Sequence, residues 1–168
     1  MKSNAAPAAV SAAADRRMSQ WVTFALEGET YGVNVMQVQE VLKLTDIAPV
    51  PGAPDYVVGI INLRGNVVTV VDTRRLFGLP QRVADDLTRI VILEVEKQVV
   101  GILVDSVAEV VELDATQVET APAVAAEEGA RYIQGVYSQG DRLLILVDLS
   151  RLLSAERLTE SGVATPRV

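Results

Sequence analysis

An all-β fold of two tandem, closely packed five-stranded β-barrels with short helical turns is predicted by three features of this sequence. Hydrophobic residues make up 49% of the 168 positions and aromatics only 4%, so the core has to be built from Val, Leu, Ile and Ala. The valine richness favours strands. Apolar residues also alternate over short runs bounded by glycine, proline and charge, the signature of half-buried strands. Finally, the chain repeats itself. A shift of 69 lays residues 22–44 on 91–113 with eight identities in 23 positions: Val22/Val91, Glu27/Glu96, Gly32/Gly101, Val35/Val104, Val38/Val107, Glu40/Glu109, Val41/Val110 and Leu44/Leu113. About one or two are expected by chance. A shift of 76 then matches Gly59/Gly135, Val71/Val147, Asp72/Asp148, Arg75/Arg151 and Leu76/Leu152. The offset changes within a loop, where insertions are tolerated.

Each copy reads in the same order. Val22, Phe24 and Leu26 alternate along a first strand, Glu27-Gly28-Glu29 turns the chain, and a second strand runs from Tyr31 to Val35. After a tight corner comes a strand around Glu40 to Leu44. The three-residue spacing of Val35, Val38 and Val41, with Leu42, also admits a buried amphipathic helix. The second copy weighs against that, because Asp105-Ser106 looks like a turn and Val110-Val111 like a strand. A loop with Pro49, Pro51 and Pro54 cannot join a central ladder. Strands from Val57 to Asn62 and from Val67 to Asp72 flank a turn at Leu63 to Asn66, and a short amphipathic helical turn, "TRRLFGL", closes the unit. Five short strands with glycines at the bends suggest a small closed or nearly closed barrel.

The expected organisation is an Ala/Pro-rich flexible tail over 1–19, a first repeat over 20–80, a connection over 81–88, a second repeat over 89–155 and a C-terminal tail over 156–168. A lone unit of about 60 residues would be marginal. The two copies should therefore share a core or exchange strands.

Composition narrows the function. Fifteen Lys+Arg against 22 Asp+Glu leave a net charge of -7, which disfavours nucleic acid and anionic lipid and favours a protein partner. With no cysteine, disulfides, thiol catalysis and cysteine-held metal are excluded; with no histidine, so are the Ser-His-Asp triad and imidazole acid–base chemistry. The acids mostly sit in turns and loops (Glu27, Glu29, Asp85, Asp86, Glu127, Glu128), and no phosphate-binding glycine loop is present. No catalytic residue, metal site or cofactor is expected. A carboxylate enzyme would need two acids about 5 to 9 Å apart in a cleft. The alanine-rich N-terminus, broken by Pro7 and Ser11, lacks the apolar stretch of a secretion signal, and no run approaches the roughly 18 apolar residues of a membrane helix. A cytoplasmic, free-standing protein is expected.

One turn does not fit the pattern. Between two very apolar strands, Asn-Gly or Asp-Gly is the ordinary hairpin tip, yet here the chain has Leu63-Arg64-Gly65-Asn66. In the second copy the position of Arg64 is taken by Gly140, so the unit does not need an arginine. Leu63 and Arg64 are read as a contact surface, the planar guanidinium pairing a carboxylate in this chain or in a partner. Glu40 is the candidate within the chain.

"YGVNVMQVQEVLKL", "VPGAPDYVVGIINLRGNVVTVVDTRRLFGL", "VVGILVDSVAEVV" and "GDRLLILVDLSRLL", in that order and spacing, resemble the chemotaxis coupling protein (CheW) family over about residues 20–155. The resemblance implies two five-stranded SH3-like barrels and a non-catalytic adaptor. Its partners would be the regulatory domain of a CheA-type histidine kinase and the cytoplasmic tip of chemoreceptor coiled coils, a receptor helix lying in the groove between the barrels. It would be a monomer alone, assembled into receptor arrays. The family motif residues fall on Glu40, Leu63 and Arg64; kinase contacts fall on Val22, Val35 and Val38, and receptor contacts on Gly101, Val107 and Val110. The same fold could serve another pathway linking receptors to kinases, such as one for surface motility.

Overall fold

The structure, a computed structural model, describes residues 18–120 and 132–150. It is built from ten strands: β1 Met18–Leu26, β2 Glu29–Asn34, β3 Val38–Lys43, β4 Val57–Leu63, β5 Asn66–Asp72, β6 Arg89–Val95, β7 Gln98–Val104, β8 Ser106–Asp114, β9 Ile133–Gln139 and β10 Arg142–Val147. A short helix, α1 Thr73–Leu76, follows β5 where the sequence predicts a helical turn. The ambiguous valine stretch resolves into a 3-10 turn, Val35–Gln37, and strand β3. The predicted tail over 1–19 lies outside the described residues up to residue 17, while Met18 and Ser19 open β1; the tail over 156–168, residues 121–131 before Tyr132, and the second copy's helical turn past Ser150 also lie outside them.

Two five-stranded sheets form, ordered β8-β1-β2-β10-β9 and β3-β6-β7-β5-β4. Replacing each strand by its repeat counterpart turns one order into the other, so the sheets are related by the duplication. They do not coincide with the sequence repeats, however. Sheet A takes β1 and β2 from the first copy and β8, β9 and β10 from the second; sheet B takes the remainder. The joins between copies are β1 with β8 and β3 with β6, both antiparallel, and β2 with β10 and β5 with β7, both parallel. The two halves are thus interlocked through the β2–β3 and β7–β8 crossovers.

The expectation of closed barrels needs correction. In sheet B the edge strands β3 and β4 form no ladder with each other, and in sheet A the same holds for β8 and β9. Among the described residues, only single bridges approach closure, Ala48 to Ile60 and Glu119 to Val136. The proline-bearing loop after Ala48 lacks the amide donors needed to extend the first bridge. The repeated glycines mark these crossings. A Cβ on Gly59 would lie 2.1 Å from the Ala48 carbonyl oxygen, and one on Gly135 would lie 2.6 Å from a Val118 methyl and 2.9 Å from the Glu119 carbonyl oxygen.

Packing explains the unbroken apolar runs. On β6, Val91, Leu93 and Val95 enter a large core that also holds Val22, Phe24 and Leu26 of β1, while Ile90 and Ile92 enter a core belonging to sheet B alone. A strand buried on both faces cannot alternate. Sheet A has its own smaller core of Trp21, Leu113, Leu144 and Leu146. Four of the few aromatics line up through the shared core, Phe24 to Tyr31 to Phe77 to Tyr132, at centroid spacings of 5.8, 5.5 and 6.1 Å. The duplication reaches single hydrogen bonds: the Asp72 amide donates to Tyr56 O at 2.7 Å and the Asp148 amide to Tyr132 O at 2.8 Å. Each of those aspartates then caps the turn that follows, accepting from Arg74 N and Ser150 N.

Candidate functional site

The β4–β5 hairpin pairs Leu63 with Asn66, leaving a two-residue tip of Arg64 and Gly65 with φ of 52° and 90°. Positive φ at both tip residues matches the right-handed strand twist, and Gly65 is suited to it. Arg64 is not, since a left-handed conformation crowds its Cβ against the following carbonyl. Asn62 helps hold the turn by accepting a hydrogen bond from the Gly65 amide through Oδ1 at 2.8 Å.

Glu40 reaches this tip because of a bulge. Between the pairs Val38–Leu93 and Val41–Val91, β3 has two residues, Gln39 and Glu40, opposite Ile92 alone. Past the bulge, Glu40 pairs with Ile92 and Leu42 with Ile90, both in the core of sheet B, so Glu40 shares a face with Leu42, whereas Val38 packs against the shared core. Arg64 donates from Nη1 to Glu40 Oε1 at 3.3 Å and from Nη2 to Oε2. The guanidinium hydrogen bond holds the Glu40 carboxyl below its usual range and raises the arginine in return. Since β3 and β4 are the two edges of sheet B, this fork joins them across the gap the ladder leaves open. An inward-leaning charge on an edge strand also discourages pairing with other chains.

The structure does not gather the other predicted contact residues into two sheet-specific sets. Val22, assigned to the kinase face, is buried in β1 and pairs in register with Val110, assigned to the receptor face. Gly101, also assigned to the receptor face, is buried in the middle of sheet B, where a Cβ would meet Ile90 at 3.0 Å. Neither presents side-chain surface to a partner. Val35, Val38 and Val107 are half-buried against the shared core, and Val110 is 52% exposed on edge strand β8. Met36, between the kinase-face valines, is 87% exposed on a turn capped by Asn34 Oδ1.

A second charged constellation escaped the sequence reading. Arg74, on α1 and only 5% exposed, forks onto Asp105, with Nε to Oδ1 at 2.8 Å and Nη2 to Oδ2 at 2.7 Å. Its Nη1 donates to Glu27 Oε1 at 2.7 Å and to the Pro80 carbonyl at 2.6 Å. Asp105 also accepts from the Glu27 amide at 3.0 Å and from Arg82 Nη1 at 3.2 Å. One arginine therefore ties the β1–β2 hairpin of sheet A to the β7–β8 crossover and to the link between the copies. Hydrogen bonding from Arg74 holds the Asp105 carboxyl below its usual range. A signal was present in the sequence, because the repeat puts Ser150 opposite Arg74 and Met36 opposite Asp105; the pair breaks the duplication just as Arg64 does.

The CheW-like domain family matches residues 20–157. Among curated proteins, the chain is 38% identical over 143 residues to a chemotaxis protein CheW of Treponema pallidum, covering 83% of this chain and 84% of that one. It is 36% identical over 139 residues to a chemotaxis protein CheW of Klebsiella aerogenes, again covering 83% and 84%. Among solved structures, the scaffolding protein TtCheW of Thermoanaerobacter tengcongensis superposes with a TM-score of 0.76 at 34% identity, covering 82% of this chain and 93% of that one.

Proposed function

The chain belongs to the CheW-like domain family, and from that premise we propose that it is a non-catalytic chemotaxis adaptor, coupling chemoreceptors to a CheA-type histidine kinase in the cytoplasm. In this reading each sheet acts as an incompletely closed SH3-like barrel, and two surfaces of the pair take different partners. The kinase regulatory domain meets the β2–β3 corner, where Met36 stands out over Val35 and Val38. The receptor tip meets β8, at Val107 and Val110. Val22 and Gly101 act from behind: Val22 supports Val110 through the β1–β8 pairing, and Gly101 lets β7 approach Ile90. Leu63 and Arg64 form the hairpin tip that Glu40 steadies.

The observation that carries this reading is the Arg64–Glu40 fork. It orders an exposed, conformationally strained arginine that the duplicated fold does without, beside a leucine, on a family-matched chain. A residue costly to the backbone and unnecessary to the fold points to a partner. The test is calorimetric titration against a chemotaxis kinase regulatory domain from the same cell. Micromolar or tighter binding, weakened by Val38→Ala with the fold intact, is expected. Absence of binding by the native chain would overturn the kinase assignment.

A further inference from the structure

The duplication copies the bulged glutamate without copying its arginine. In sheet A, β1 offers Thr23 alone between the pairs Val22–Val110 and Phe24–Val107, while β8 offers Ala108 and Glu109. Glu109 thus occupies the place that Glu40 holds in sheet B. Across the gap, at the β9–β10 tip, Gly140 and Asp141 stand where Arg64 and Gly65 stand in the other half. That tip supplies an acid instead of a base. Among the described residues, the ion-paired arginines are Arg64, Arg74, Arg75 and Arg82, and none of them pairs with Glu109.

The bulge is nonetheless built with care. Thr23 is buried, and its hydroxyl donates to the Glu109 carbonyl at 2.7 Å while accepting the Glu109 amide at 3.1 Å. The equivalent residue in sheet B is the apolar Ile92. Pinned in this way, β8 shows Ala108, Glu109 and Val110 to solvent in succession, Glu109 opposite Thr23 on the face that carries Trp21, and Val110 on the other face with its partner Val22. Bulges re-aim side chains at functional edges. Here the result is a carboxylate beside the small side chain of Ala108, on an edge strand that also exposes Val110 and Glu112.

We infer that Glu109 accepts an arginine carried by the receptor helix, with Ala108, its neighbour in the bulge, receiving an apolar residue one helical turn away. The inference rests on the receptor assignment above and deepens it. Arginine fits better than lysine because its planar fork can take both carboxylate oxygens, as Arg64 does with Glu40. Residues three or four apart on a helix lie on one face, so one helix can bring both groups to the strand.

The test is binding of a purified cytoplasmic chemoreceptor fragment from the same cell to the native chain and to Glu109→Gln, Glu109→Arg and Glu112→Gln, at low and high salt. Glu109 is exposed, so the variants should keep the native circular dichroism spectrum and the native affinity for the kinase domain. Glu109→Gln should weaken receptor binding about tenfold at low salt and flatten its salt dependence. Glu109→Arg should abolish binding, and an Arg→Glu change in the receptor should restore it; Glu112→Gln, on the same strand, should bind as the native chain does. Native-like binding by Glu109→Gln, with unchanged salt dependence, would overturn this inference and leave the receptor assignment standing. No binding by the native chain would overturn both.

Discussion

Arg64 donates both terminal guanidinium nitrogens to Glu40, joining the hairpin beside one edge of sheet B to the strand at its other edge. The guanidinium stays largely exposed, with 69% of the side chain accessible. Replacing Arg64 by Asn suits the positive φ, since Asn tolerates the left-handed region. Arg64→Asn should therefore unfold at or above the native midpoint in a thermal melt while losing receptor-dependent kinase activation in a reconstituted assay. The swapped pair Glu40→Arg with Arg64→Glu should keep a bridge across the gap and still fail to activate. Restored activation would show that bridging is the arginine's whole task.

Removing Arg74 leaves Asp105 uncompensated beside the crossover. Breaking a buried pair from one side typically costs 3–5 kcal/mol, and the half-exposed Glu27 and Arg82 place this site at the lower end, about 3 kcal/mol. Arg74→Ala should show that loss in urea unfolding, and Arg74→Lys should recover only part of it, because an ammonium cannot fork.

The same cluster sets an acid dependence. The Asp105 carboxyl lies below its usual value in the folded chain, chiefly through its hydrogen bonds from Arg74. A depressed carboxyl contributes stability that is fully present above the unfolded value, near pH 4, and is lost as pH falls through the folded value. Stability measured by urea unfolding should be flat above about pH 5 and fall below about pH 4. Asp105→Asn should be less stable at neutral pH and show a shallower fall.

Gly59 and Gly135 occupy equivalent crossings with unequal room. Gly59→Ala drives a methyl into the backbone oxygen of Ala48, whereas Gly135→Ala first meets the side chain of Val118. Both should destabilise, by about 1–3 kcal/mol or more, with Gly59→Ala the worse. Chemical denaturation of the two variants side by side would check the order.

Thr73, fully buried at the start of α1, has a hydroxyl with no hydrogen-bond partner among the described residues. Valine replaces that oxygen with a methyl of similar shape. Thr73→Val should raise stability by about 1 kcal/mol in urea unfolding, because an unsatisfied buried hydroxyl is removed.

Much of this fold could be read locally. Alternation along Val22, Phe24 and Leu26, the proline loop, the apolar closing turn and the two offsets located the strands and the duplication. The Arg64–Glu40 candidate was legible because an arginine stood where Gly140 stands in the other copy. The Arg74–Asp105 fork was missed although it breaks the repeat in the same way. Its partners are 31 residues apart, on elements whose proximity depends on the crossovers. The contact valines were legible as apolar positions only; hydrophobicity cannot tell Val22, in the core, from Val110, on the surface.

By itself, the sequence determined the strand content, the hairpin tips, the duplication and a chemistry without histidine or cysteine, because these follow from each residue's own preferences and its near neighbours. The tertiary structure alone decided which copy each strand pairs with. The two copies carry the same register and pattern, so β3 could pair as well with a strand of its own copy as with β6. The choice is made by the short corner at Val35–Gln37, which sends β3 into the opposite sheet, and by the shared core, which buries β1 and β6 on both faces only when the halves interlock.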